Sequence, residues 1–216
     1  DGGYSFGEAN NEGGWLHSDM HALWINPNNT SQLYLGTDGG VYVSLDRGAT
    51  WMFLQSLPVG QFYHVAVDKA TPYNIMGGLQ DNGSWIAPSA APGGVGNANW
   101  FALLGGDGFW VQPDPLDPQI VYAESQGGNI NRVNKFTSKS VNIKPQQTAA
   151  EEKLRWNWNT PIVTGLSDGR NLYTGAQYLF KSVDQGRNWT RISPDLTTND
   201  KKKQEQENSG GLSADN

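Results

Sequence analysis

Three aspartates set in glycine-rich corners are the residues best placed to do chemistry. Asp38 lies in Thr37-Asp-Gly-Gly40, Asp81 in Gln80-Asp-Asn-Gly83 and Asp107 in Gly105-Gly-Asp-Gly108. Two such carboxyls can serve as general acid and general base on a glycosidic bond, with a gap of roughly 6.5–9.5 Å for water in the inverting arrangement. Asp-Gly and Asn-Gly are equally ordinary tight-turn dipeptides, so each aspartate taken singly also has a structural explanation. Gln80, Asp81 and Asn82 form three adjacent polar groups behind an apolar run, a pattern that points to a recognition surface. His17, Asp19 and His21 fall at i, i+2 and i+4, on one face if the segment is a strand. Two imidazoles and a carboxylate can hold a divalent metal, and a hydrogen-bonded polar cluster is the competing and favoured reading, so no cofactor is expected. Trp156 and Trp158 alternate, as neighbours on one strand face would, and indoles make good platforms for sugar rings. Packing within the sheets is the other use for them.

The elements that must position these residues are strands. No long stretch keeps apolar residues at helical spacing, and the best helical candidate, Thr148 to Trp156, is about two turns. Short apolar runs closed by Gly, Asn, Asp or Pro dominate instead, among them 21–25, 32–35, 40–43, 64–67, 120–123 and 171–174. The chain is all-β. A unit made of a strand, a turn, a Leu-Tyr-Leu-Gly-like strand, a Gly and a further strand recurs four times. With the second strand of each unit as a ruler, Tyr34, Ile75, Tyr122 and Tyr173 are 41, 47 and 51 residues apart. Periods of about 40–50 residues with about four strands are those of β-propeller blades. The pattern predicts blades over about 15–60, 61–105, 106–145 and 155–196 and a polar connector over 197–216. Four blades are the low end of the range, so the expectation is part of a larger propeller, completed by further blades or by a partner chain.

Two segments carry a stronger signal: Ser44-Leu-Asp-Arg-Gly-Ala-Thr-Trp51 and Ser182-Val-Asp-Gln-Gly-Arg-Asn-Trp189 share S-x-D-x-G-x-[TN]-W. The chemistry of such a turn is structural. Asp46 and Asp184, with Ser44 and Ser182 beside them, can accept backbone N–H groups inside the turn, and Gly48 and Gly186 can take a positive φ. Trp51 and Trp189 can then bury a ring against the sheet. These segments resemble the Asp-box of bacterial neuraminidase repeats, and the chain up to about Leu196 resembles the sortilin-like propeller family, with the second box departing at Asn188. The nearest flavour is that of large exported bacterial proteins often labelled glycosyl hydrolases. The resemblance implies a propeller, boxes at the blade periphery that stabilise turns, and a secreted, periplasmic or cell-surface location in a bacterium. It does not imply an activity.

A sialidase would need three arginines gripping a carboxylate. Of the six arginines, Arg47 and Arg187 fall inside the box turns, and Arg132, Arg155, Arg170 and Arg191 lack the family's early motif. Composition excludes more. With no Cys there is no disulfide scaffold and no Cys-ligated zinc or iron–sulfur site. A net charge of −6 argues against nucleic acid as a partner, and no apolar run approaches the roughly 20 residues of a membrane-spanning helix. The reading is a β-propeller segment that presents a protein- or glycan-binding surface without a complete catalytic set. Its rivals are a xyloglucanase-like hydrolase with paired carboxylates, which would make the chain an enzyme, and a subunit or assembly factor of a larger complex.

Overall fold

The computed structural model describes residues 16–57, 59–147, 150–165 and 169–205. They form sixteen strands in four antiparallel sheets. The first sheet contains β1 (Met20–Ile25), β2 (Leu33–Thr37), β3 (Gly40–Ser44) and β4 (Met52–Phe53). The second contains β5 (Phe62–Val67), β6 (Asn74–Leu79), β7 (Gly83–Pro88) and β8 (Phe101–Leu104). The third contains β9 (Gly108–Pro113), β10 (Ile120–Ser125), β11 (Asn129–Asn134) and β12 (Ser140–Asn142), and the fourth β13 (Ile162–Thr164), β14 (Leu172–Gly175), β15 (Leu179–Ser182) and β16 (Thr190–Arg191). Within each sheet the strands lie side by side in chain order. Four consecutive four-stranded meanders are the blades of a β-propeller. No helix among the described residues is long and apolar enough to cross a membrane.

The chain divides into two compact units, Asp1–Gly60 with the first sheet and Gln61–Asn216 with the other three. In the second unit the alternation of apolar residues builds separate buried clusters between neighbouring sheets. Met76, Ile86 and Leu103 of the second sheet pack on Val111, Val121, Ala123 and Val133 of the third. Tyr122, Ile130, Ile143, Ile162 and Leu172 join the third sheet to the fourth. Each Val, Leu, Ile or Met among them contributes roughly 1.5–3 kcal/mol on burial. Close approach of the second and third sheets depends on two glycines. A Cβ at Gly78 would overlap the Gly108 carbonyl carbon and the Phe109 amide nitrogen.

The best helical candidate forms no helix: residues 150–156 are irregular, and 148 and 149 lie outside the described residues. The buried Gln177 takes the place of helical hydrogen bonds there. Its Oε1 accepts the Arg155 amide at 2.8 Å and its Nε2 donates to the Lys153 carbonyl at 2.9 Å, which holds the segment against the fourth sheet. Of the connector, residues 206–216 lie outside the described residues.

The two S-x-D-x-G-x-[TN]-W turns have one hydrogen-bond network. Ser44 Oγ donates to Asp46 Oδ1 at 2.8 Å and accepts the Gly48 amide at 2.8 Å, while Asp46 accepts the Thr50 amide and hydroxyl. Ser182 does the same with Asp184 and Gly186, and Asn188 supplies its amide and side-chain Nδ2 to Asp184. Asn therefore replaces Thr without loss of the second donor. Bonds from Thr50 and from Asn188 hold both carboxyls down at about 2. Positive φ falls at Arg47 and Gly48, and again at Gln185 and Gly186. Trp51 rests over Gly48, and Trp189 donates its Nε1–H to the Ile143 carbonyl at 2.6 Å.

Candidate functional site

The turn between β6 and β7 is built from Gln80, Asp81 and Asn82 and closes on Gly83. Asp81 and Gly83 both have positive φ, and the Trp85 indole folds back to donate its Nε1–H to the Asn82 carbonyl at 2.5 Å. This places an aromatic ring, a carboxylate and an amide on one short stretch. They line a cavity of about 400 Å³ together with Leu104, Gly105 and Gly106. Gln80 is set back in the strand pairing, its amide bonded to the Gln61 carbonyl at 3.0 Å.

Asp107 comes from the neighbouring glycine-rich corner, 26 residues on, and accepts the Asp81 amide at 2.5 Å through Oδ1. Its Oδ2 accepts Gln126 Nε2 at 3.3 Å. Asp81 and Asp107 are thus brought together, with the Asp107 carboxylate engaged as a clasp between turns. Asp38 belongs to the first unit, where it pairs with His21 Nε2 at 2.6 Å.

Around this clasp lie Tyr63, Phe109 and Trp110, which the sequence did not single out, beside the candidate Trp158. Tyr63 stands 4.5 Å, centroid to centroid, from Phe109, which meets Trp158 edge-on at 6.4 Å. Burial raises the Tyr63 phenol above its ordinary range, and the charges of Asp107 and Asp81 add to the effect. His64 stacks on Trp110 at 3.9 Å and meets Asn159 Nδ2 through its Nε2 at 3.2 Å. What positions these rings is a repeated backbone irregularity. Where β5 pairs with β6, and β9 with β10, one extra residue is inserted in the first strand: between Phe62 and His64, and between Gly108 and Val111. The same bulge separates Met20 from Ala22 in β1. A bulge re-aims the side chains beside it, here Tyr63, Phe109 and Trp110.

Glu124, also missed, lies opposite the β9 bulge and is fully buried. Its Oε1 accepts the amides of Gly128 at 3.1 Å and Thr160 at 3.2 Å. Its Oε2 makes no hydrogen bond of normal geometry among the described residues. Burial pushes this carboxyl up to about 8, against the opposing pull of the Thr160, Gly128 and Trp110 amides and the Lys144 ammonium. The signal in the sequence was a glutamate inside an otherwise apolar strand, Ile120-Val-Tyr-Ala-Glu124.

The other sequence candidates separate. His17 Nδ1 lies 3.5 Å from Asp19, whereas His21 turns to Asp38, so the triple does not converge on one point. Trp156 and Trp158 do not share a strand face, because residues 155–159 are not in a strand. Trp156 is only 8% exposed, stacked on Phe180 at 6.2 Å with the Lys144 ammonium 5.2 Å from its ring. Trp158 is 41% exposed and beside the Asp107 cluster through Phe109.

No family model matches the chain, and no curated protein matches its sequence. Solved structures similar to it include the GH74 xyloglucanase of Xanthomonas campestris, at 17% identity and a TM-score of 0.45 over 82% of this chain and 30% of that one. They also include the GH74 enzyme of Niastella koreensis, at 21% identity and 0.43 over 81% of this chain and 30% of that one. An auxiliary nutrient binding protein of Bacteroides thetaiotaomicron is similar at 14% identity and 0.46, over 84% of this chain and 43% of that one. The chain thus spans well under half of the proteins it resembles.

Proposed function

We propose that this chain is an exported β-propeller segment that binds carbohydrate without turning it over, through the surface formed by Asp81, Asn82, Trp85 and the adjoining Asp107–Tyr63–Trp158 cluster. The observation that carries the reading is the Trp85 cavity, where an indole shares its lining with a carboxylate and an amide held by the same turn. A pyranose offers an apolar face and vicinal hydroxyls, and a ring with planar polar side chains at its edge matches both. The exposed Trp158 extends the aromatic surface.

Hydrolysis needs an accessible protonated acid and a second carboxylate. The Asp107 oxygens are taken by Asp81 and Gln126, and the carboxyl that is raised to about 8, Glu124, is buried against backbone amides. Both facts favour binding over catalysis. Affinity electrophoresis of the chain in gels containing a panel of soluble polysaccharides tests this. At least one polysaccharide is expected to retard it, and Trp85→Ala to weaken that binding about tenfold, the equivalent of roughly 1.4 kcal/mol. Reducing-end release that disappears in Asp81→Asn or Asp107→Asn would overturn the binding-only reading.

A further inference from the structure

At the other end of the same sheets lies a second cavity, of about 410 Å³, that shares no lining residue with the first. β9 packs between β5 and β13, and these three strands end at Val67, Pro113 and Thr164. The cavity opens among those ends, whereas the Gln80–Gly83 turn lies at the beginnings of β5 and β9, roughly 17–20 Å away by strand length. Its volume is in the range of small-molecule sites.

The walls are apolar: Val67, Ala70, Pro113, Pro115, Pro118 and Ile120. The floor holds an ion pair, Lys135 Nζ to Asp68 Oδ2 at 2.8 Å, with both side chains only 10% exposed. The Asp68 carboxylate is saturated. Its Oδ1 accepts the amides of Ala70 and Asn74, and its Oδ2 accepts Asn74 Nδ2 as well as Lys135. Asp114, the other lining carboxylate, is saturated too, by the amides of Leu116 and Asp117, the Tyr122 hydroxyl and Gln185 Nε2. The Lys135 ammonium has three donors, and among the described residues Asp68 is its one hydrogen-bond acceptor. Among the described residues the cavity therefore offers a largely buried cation with donors to spare and no carboxylate oxygen to spare. A buried donor left unmade is costly, and an incoming acceptor relieves that cost.

Charge sets the class of ligand. Lys135 is already neutralised by Asp68, and Lys69 and Asp114 balance as well, so an anion would place a second negative group on a compensated pair. We infer that this cavity is a binding site for a small uncharged molecule with an apolar body and a carbonyl acceptor, an amide, ester or ketone, whose oxygen accepts from Lys135. Gln112 is a further polar residue of the lining.

N-cyclohexylacetamide is a suitable probe, with cyclohexanecarboxylate as its anionic counterpart of similar size. Titration of the isotope-labelled full chain, followed by amide NMR shifts, should show saturable changes for N-cyclohexylacetamide confined to 67–70, 112–120 and 164–165. Cyclohexanecarboxylate should bind at least tenfold more weakly. Lys135→Met should weaken the amide probe at least tenfold, and Ala70→Phe, at the rim, should block it while leaving Asp68 paired. The inference is overturned by an absence of saturable shifts, by equal or tighter binding of the carboxylate, or by unchanged binding in either variant. If Lys135→Met does not fold, Ala70→Phe decides alone, and retained binding there refutes the site.

Discussion

Glu124 makes stability depend on pH in a direction opposite to that of a salt-bridged carboxylate. Its folded-state value is raised to about 8 from the ordinary 4.5 because the side chain is buried, which outweighs the pull of the Thr160, Gly128 and Trp110 amides and of the Lys144 ammonium. Between those two values the folded protein holds a proton that the unfolded chain has released. Stability is therefore full below about pH 4.5, falls as pH rises through the window, and levels off above about 8. The slope for one such group is about 1.4 kcal/mol per pH unit, or about 3 kcal/mol between pH 5 and pH 7 as an upper figure. With a urea m-value of about 3 kcal/mol/M the midpoint should drop by about 1 M. Glu124→Gln is the matched control. It keeps the oxygen that accepts from Gly128 and Thr160 and carries no charge at any pH. Urea unfolding of both proteins at pH 5, 6, 7 and 8 should give a steep decline for the wild type and a shallow one for the variant. The variant should be the more stable of the two at pH 8. Groups that titrate in both proteins cancel in the difference. Parallel curves across the window would refute the reasoning, because they would mean that Glu124 is ionised in the folded protein throughout.

Two further perturbations follow from the scaffold. Ser182→Ala removes the oxygen that accepts the Gly186 amide at 2.9 Å and leaves that buried N–H without its acceptor, a loss of about 1–3 kcal/mol readable by the same urea assay; an unchanged midpoint would mean that the turn re-satisfies itself. Gly78→Ala forces a methyl onto the backbone at Gly108–Phe109, where no side chain can yield, so a loss above about 4 kcal/mol or failure to fold is expected, and near-native stability would contradict the close approach of the second and third sheets.

The fold was legible because its signals are local. A four-stranded meander leaves its turns and alternations in one stretch of chain, and the S-x-D-x-G-x-[TN]-W turns close through bonds spanning two to four residues. Asp81 and Asn82 were visible for the same reason, since a polar run at a strand end marks its turn. What holds the 150–156 segment was not legible locally, because its partner, Gln177, lies more than twenty residues downstream. Trp156 and Trp158 looked alike, yet burial separates them: one indole closes on Phe180 and the other stays at the surface near Asp107.

The sequence by itself determined the class of structure, its four repeats and the chemistry inside each turn, because hydrogen bonds between near neighbours depend on residue type and spacing alone. Tertiary structure decided which of those turns meet. Packing of the second and third sheets brought Asp107 onto the Asp81 amide and joined Lys135 to Asp68 across 67 residues, and the segment before the fourth sheet closed over Glu124. Those pairings set charge, protonation and access, and they arise from the stacking of whole sheets, a property that no single stretch of chain contains.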